Sequence, residues 1–172
     1  MSVMTLEWDT IDLSLNREKG GFDNIGEVGK LKERYVYYIK TPNSCIIGYP
    51  NGNSNVCYIG QSGRSENKRS RVASHALGWI LRYQALTHGA NIFTVSWAYP
   101  RRQGMKNSYK DVEAYMIREF HEKFGSTPLF NKRMEVETGG YDIDLNCDIL
   151  KRRRKKAQFQ AFSMDDLAAM KE

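Results

Sequence analysis

Tyr35-Val36-Tyr37-Tyr38-Ile39 and Cys57-Tyr58-Ile59-Gly60-Gln61-Ser62 are the two stretches on which the reading of this chain turns. Both are built from β-branched and aromatic residues, which favour a pleated, half-buried surface, so both read as strands. Gly60, followed by the polar Ser62-Gly63, is expected to end the second strand sharply. Residues 41–55 lie between them and hold Pro42, Gly48, Pro50 and Gly52 among asparagines and serines. That punctuation reads as a loop, longer than a tight hairpin and of a length often found at functional sites.

Downstream, Ser65 is placed to cap a helix reaching to about residue 86, with Val72, Ala76, Trp79, Ile80 and Tyr83 forming one apolar face. Residues 91–99 set Phe93, Val95 and Trp97 against Ile92, Thr94 and Ser96, the alternation of a third strand. A break at Pro100-Arg101-Arg102-Gln103-Gly104 precedes a second helix. It starts near Ser108, buries Val112, Met116, Ile117, Phe120 and Phe124, and stops at Gly125. Residues 134–145, with Gly139-Gly140 in their middle, read as a hairpin, and residues 163–170 as a weak terminal helix. Upstream, the alternation Ile11-Asp12-Leu13-Ser14-Leu15 is either an edge strand or an arm packed on the domain.

The expected fold class is α+β: a small central antiparallel three-stranded sheet flanked by helices, in the order β-β-α-β-α, with N- and C-terminal extensions. The expected organisation is an N-terminal arm over residues 1–34, a main domain over 35–133, and a C-terminal hairpin with a basic extension over 134–172. A chain of 172 residues that is 41% hydrophobic suits one such domain.

A formal net charge of +6 favours a polyanionic partner, because each lysine or arginine laid on a phosphate releases a counterion. Cys45, Cys57 and Cys147 are scattered and odd in number, which signals neither a disulfide framework nor a zinc site. With no basic start, no apolar leader and no stretch long enough to span a bilayer, the chain is expected to be soluble and cytoplasmic, without a membrane partner.

With these elements in place the chain resembles the GIY-YIG nucleases, modules that cut DNA with one divalent metal ion. Their second strand carries a Tyr-Ile-Gly triplet, reproduced by Tyr58-Ile59-Gly60. Their first carries Gly-Ile-Tyr, here Tyr35-Val36-Tyr37, which keeps the tyrosine and loses the glycine. Arg71 and His75 stand four apart, on one face of a helix, and match the family's arginine and histidine. Glu113 opens the next helix where the family's metal ligand stands, and Asn131, in Pro-Leu-Phe-Asn, sits at the family's asparagine. The resemblance covers roughly residues 35–131. A few extra residues between Tyr58 and Arg71 make Lys68 and Arg69 rivals for the phosphate contact.

The resemblance implies the catalytic set Tyr37, Tyr58, Arg71, His75, Glu113 and Asn131. It implies Mg2+ as the cofactor, with Mn2+ as its substitute, held by Glu113, and no small-molecule cofactor. In the family's mechanism Tyr58 takes the proton of the attacking water as a phenolate, His75 orients it, Tyr37 holds water or phosphate, and Arg71 offers its fork to the phosphate. Each residue also has an ordinary reading. Tyr37 and Tyr58 are the kind of aromatics strands commonly carry, Arg71 is one of several basics on its helix, His75 suits a half-buried position, and Asn131 suits a turn. Glu113, beside Val112, Met116 and Ile117, is a carboxylate at the core edge that needs a partner.

The implied function is metal-dependent hydrolysis of phosphodiester bonds in DNA, site-specific on duplex DNA, in the manner of a compact restriction-type or phage endonuclease. Double-strand cleavage then needs a homodimer or two visits. Contacts to DNA are expected from Arg101, Arg102 and Lys106, and from a backbone clamp of Lys151, Arg152, Arg153, Arg154, Lys155 and Lys156. A solvated basic tail and a nuclear-import signal are the rival readings of that run. The alternative functions are a catalytically inactive DNA-binding module, suggested by the lost glycine, and a structure-selective nuclease on branched or single-stranded DNA.

Overall fold

The computed structural model describes residues 3–31, 33–63, 71–73, 77–82, 91–101, 107–134 and 142–161. In chain order its elements are β1 (Met4–Thr5), β2 (Asp9–Asn16), β3 (Gly21–Phe22), α1 (Ile25–Gly29), β4 (Tyr35–Lys40), β5 (Ile47–Tyr49), β6 (Gly52–Ser54) and β7 (Val56–Ser62). Then come α2 (Leu77–Arg82), β8 (Ile92–Ala98), α3 (Ser108–Phe124), β9 (Ile143–Asp144) and β10 (Phe159–Gln160). The expected hairpin over 134–145 falls largely outside the described residues, and the terminal helix over 163–170 wholly so.

The expected three-stranded sheet is corrected to five antiparallel strands in the order β3-β2-β8-β4-β7. The three strands anticipated, β4, β7 and β8, are present with β4 in the middle of them. The extra width comes from residues 9–16, which pair with the free edge of β8. Leu13 stands opposite Phe93 and Ile11 opposite Val95. On the other face Thr10 and Ser96 share a hydroxyl hydrogen bond of 2.9 Å, and Thr94 donates to Asp12 at 2.8 Å. An exposed β8 would have left a row of unpaired backbone groups, and β2 removes it. Nor do helices flank the sheet as expected: α3 is the one long helix among the described residues, and it packs chiefly on β7 and β4.

Residues 41–55, read as a loop, contain the β5-β6 hairpin. Asn55 closes its base by donating to the Thr41 carbonyl at 2.9 Å, and the Thr41 N–H returns to the Asn55 carbonyl at 2.8 Å. The hairpin's turn reaches the C-terminus of α3, where the Asn51 N–H donates to the Phe124 carbonyl at 2.9 Å. Gly125, at φ 75°, closes the helix there and donates to the His121 carbonyl. The left-handed backbone at that position is open to glycine at little cost.

Gly60 is not the end of β7, which continues to Ser62. All three cysteines are free. Among the described residues no helix is long and apolar enough to cross a membrane.

By strand alternation Tyr38 and Lys40 occupy the face of β4 opposite Tyr37. There Tyr38 meets Trp8 edge-on at 5.0 Å, and Trp8 donates its indole N–H to the Leu145 carbonyl. Lys40 donates to both Asp148 oxygens at 3.0 and 3.1 Å, and Arg153 reaches the same carboxylate at 3.0 Å. Burial pulls the Asp148 pKa upward, but the Lys40 hydrogen bond and charge, Arg153 and Tyr38 outweigh it and hold the carboxyl below its usual value of 3.8. A depressed carboxyl contributes stability above its unfolded pKa and loses it as pH falls through the folded one. Asp148→Asn should therefore cost about 1 kcal/mol at pH 7 after solvent screening. The difference from wild type should shrink as pH falls below the ordinary carboxyl range, as read by urea unfolding across pH; a gap that persists undiminished in acid would rule out the ion pairs as its source.

Candidate active site

Tyr37 stands in the middle of the sheet, opposite Gly60 on β7 and Trp97 on β8. Its ring is fully buried, 5.9 Å from the ring of Tyr58 and 5.7 Å from that of Tyr35. A Cβ placed on Gly60 would lie 2.6 Å from the Tyr58 ring and 2.8 Å from the Tyr37 ring and hydroxyl. No real side chain tolerates such contacts. Both phenols therefore lean over a position that only glycine fills, which is why a glycine sits inside a strand where it otherwise weakens pairing.

The Tyr37 hydroxyl is buried with no hydrogen-bond partner among the described residues. Its pKa is raised well above the ordinary value, first by burial, then by the neighbouring phenols Tyr58 and Tyr35; Arg71 pulls it down and Glu113 pushes it up. Two conclusions follow. Tyr37 stays a neutral phenol at any physiological pH, so it acts as a donor and not as a base. And Tyr58, Arg71 and Glu113, from β7, the turn of helix at residue 71 and α3, all lie within electrostatic reach of one oxygen. Arg71 is exposed and Glu113 half-buried, while Tyr37 and Tyr58 are buried.

Asn131 does something different from what its place in the sequence pattern suggests. β7 is the edge of the sheet, and the Asn131 side-chain amide pairs with it like a strand. Its Nδ2 donates to the Ile59 carbonyl at 2.8 Å and its Oδ1 accepts from the Ile59 N–H at 2.9 Å. The Phe130 N–H adds a bond to the Cys57 carbonyl at 3.0 Å. Asn131 thus positions the strand that carries Tyr58 and Gly60, and its side chain is spent on backbone.

Tyr35, which stands where the resemblance expects glycine, is fully buried with its ring 6.4 Å from Tyr99 and beside Tyr37. It fills core next to the tyrosine pair. His75, Lys68 and Arg69 lie outside the described residues, as do Arg102 and Lys106. Arg101 is paired with Glu33 and lies over the Tyr99 ring at 5.8 Å. The basic run divides. Arg153 is largely buried between Asp148 and Asn55, and Arg152 donates to the Lys123 carbonyl at the end of α3. Lys151, Arg154, Lys155 and Lys156 are exposed.

Among the described residues no three His, Cys, Asp or Glu side chains converge. A magnesium ion held by one carboxylate keeps most of its waters, so Glu113 alone would be its protein ligand here.

No family model, curated protein or solved structure matches the chain.

Sequence reasoning gave Gly60 the wrong task and missed the part played by Asn51 and Arg152 at the end of α3. A glycine interrupting an alternating strand pattern is the signal that points to close approach of other side chains. Gly60→Ala should cost about 1–3 kcal/mol through overpacking and shift the near-ultraviolet dichroism of the tyrosines; a variant with wild-type urea midpoint and spectrum would show that the two rings do not need the space. Tyr37→Phe should behave in the opposite way. Removing a buried hydroxyl without a partner relieves a desolvation cost of about 1–3 kcal/mol, so Tm should hold or rise.

Proposed function

We propose that this chain is a metal-dependent DNA endonuclease of the GIY-YIG type, hydrolysing phosphodiester bonds of duplex DNA at specific sites as compact restriction or phage nucleases do. The observation that carries the reading is the buried, unpartnered Tyr37 hydroxyl above Gly60, packed beside the Tyr58 ring and within electrostatic reach of Arg71 and Glu113. Its second support is the resemblance in residue order set out above.

Phosphodiester hydrolysis needs an activated water, a counter-charge for the non-bridging oxygens and help for the leaving alkoxide. Arg71 meets the second need: its planar guanidinium matches two phosphate oxygens. Tyr37, held neutral by burial, donates a hydrogen bond to a phosphate or water oxygen. Tyr58 takes the proton of the attacking water, a role that needs a neighbouring cation such as Arg71 to favour its phenolate. His75 orients Tyr58. Glu113 would hold magnesium, which when bound supplies Lewis-acid stabilisation of the developing negative charge. Asn131 holds the Tyr58 strand in register through Ile59.

Purified protein incubated with supercoiled plasmid, phage genomic DNA and branched oligonucleotides, with magnesium or with chelator, should yield discrete fragments from duplex DNA with magnesium alone. Glu113→Ala should abolish cleavage while leaving the fold intact. Tyr37→Phe should slow it by about 10²-fold, the scale of one lost donor to a charged transition state. Cleavage that survives Glu113→Ala would overturn the assignment of the metal ligand, and a wild-type rate for Tyr58→Phe that of the base.

A further inference from the structure

The basic run at residues 151–156 was open to reading as a solvated tail, and its backbone contacts say otherwise. The Lys151 N–H donates to the Asp148 carbonyl at 2.9 Å and the Arg153 N–H to the Asn53 carbonyl at 2.8 Å. Asn53 donates its side-chain amide to the Lys155 carbonyl at 2.9 Å, and Gln158 donates its own to the Lys156 carbonyl at 2.9 Å. Gln158 then closes the segment on Ile46 from both its backbone and its side chain. The run is thus pinned along the β5-β6 hairpin by bonds on either side of every free cation.

What remains exposed is selected. The Arg153 guanidinium is inside, against Asp148 and Asn55, and Arg152 is seated on the Lys123 carbonyl. Lys151, Arg154, Lys155 and Lys156 project from this fixed backbone with no side-chain partner among the described residues. Six residues of chain span no more than about 17 Å, a length along which one strand of duplex DNA presents about five phosphates. Lys123, where the run touches α3, is ten residues from Glu113, hence about 15 Å away along the helix axis.

The geometry points to a rigid phosphate-contacting ridge, made of Lys151, Arg154, Lys155 and Lys156 on the β5-β6 hairpin, that binds the backbone of duplex DNA several base pairs from the reacting phosphate. It rests on the nuclease reading for the identity of its polyanion. The ridge adds affinity and registers no base, because phosphate contacts position a protein without specifying sequence. A backbone already fixed by hydrogen bonds gives up little further freedom on binding.

The test is fluorescence anisotropy with a 30-base-pair duplex in chelator, where no cleavage can occur, across a range of sodium chloride. Replacing all four residues by glutamine should leave Tm unchanged and lower the slope of log K against log salt by about 3 to 4. Replacing Lys151, Lys155 and Lys156 by arginine should keep the wild-type slope. Glu113→Ala should bind as wild type, so loss of cleavage with retained binding separates the ridge from the catalytic reading. An unchanged slope in the glutamine variant overturns the ridge. So does binding of wild-type protein to vesicles of one-third phosphatidylserine with no measurable affinity for the duplex, which would assign the same cations to a lipid surface.

Discussion

The missing Cβ at Gly60 is the constraint on which the rest of this site depends. Tyr37 and Tyr58 belong to neighbouring strands, and their rings come together only because nothing stands between them above Gly60. That arrangement puts the Tyr37 hydroxyl in the field of Arg71 and Glu113. A buried hydroxyl without a partner is a cost to folding. Its presence inside an otherwise well-packed sheet is what separates the pair from ordinary strand aromatics, since a phenylalanine would fill the same space more cheaply.

The strand bearing Tyr58 lies at the edge of the sheet, where backbone groups are open to water and to foreign strands. Asn131 and Phe130 cover that edge. The helix bearing Glu113 is secured at its far end, where Asn51, Gly125 and Arg152 each satisfy a carbonyl of the last turn. The strand bearing Tyr58 and the helix bearing Glu113 are thus each held by side-chain or loop contacts of their own.

The other face of β4 ties the C-terminal segment to the sheet. Lys40 and Arg153 share Asp148, and Tyr38 donates to the same carboxylate at 3.3 Å. One cation of the basic run is consumed in this network, and its burial orders the backbone from which its neighbours project. The same positive charges therefore serve two ends: one holds the segment down and the others face solvent.

Much of the local structure was legible in the residues themselves. A run of β-branched and aromatic residues marked β4, alternation marked β8, and the three-and-four spacing of Val112, Met116, Ile117, Phe120 and Phe124, with Gly125 behind them, marked α3, because these signals repeat within one element. The membership of residues 9–16 in the sheet was not legible, since their β8 partners lie about eighty positions away, as with Thr10 and Ser96, and an alternating segment does not announce which edge it will join. Nor does a run of six like charges show that one of them turns inward to a carboxylate. The sequence by itself determined which residue types follow one another along each strand and helix. Only the tertiary structure decided that Gly60 lies beneath two tyrosines, that Asn131 closes an edge and that Tyr58, Arg71 and Glu113 come within electrostatic reach of the Tyr37 hydroxyl, because each depends on pairing between distant segments that no local pattern encodes.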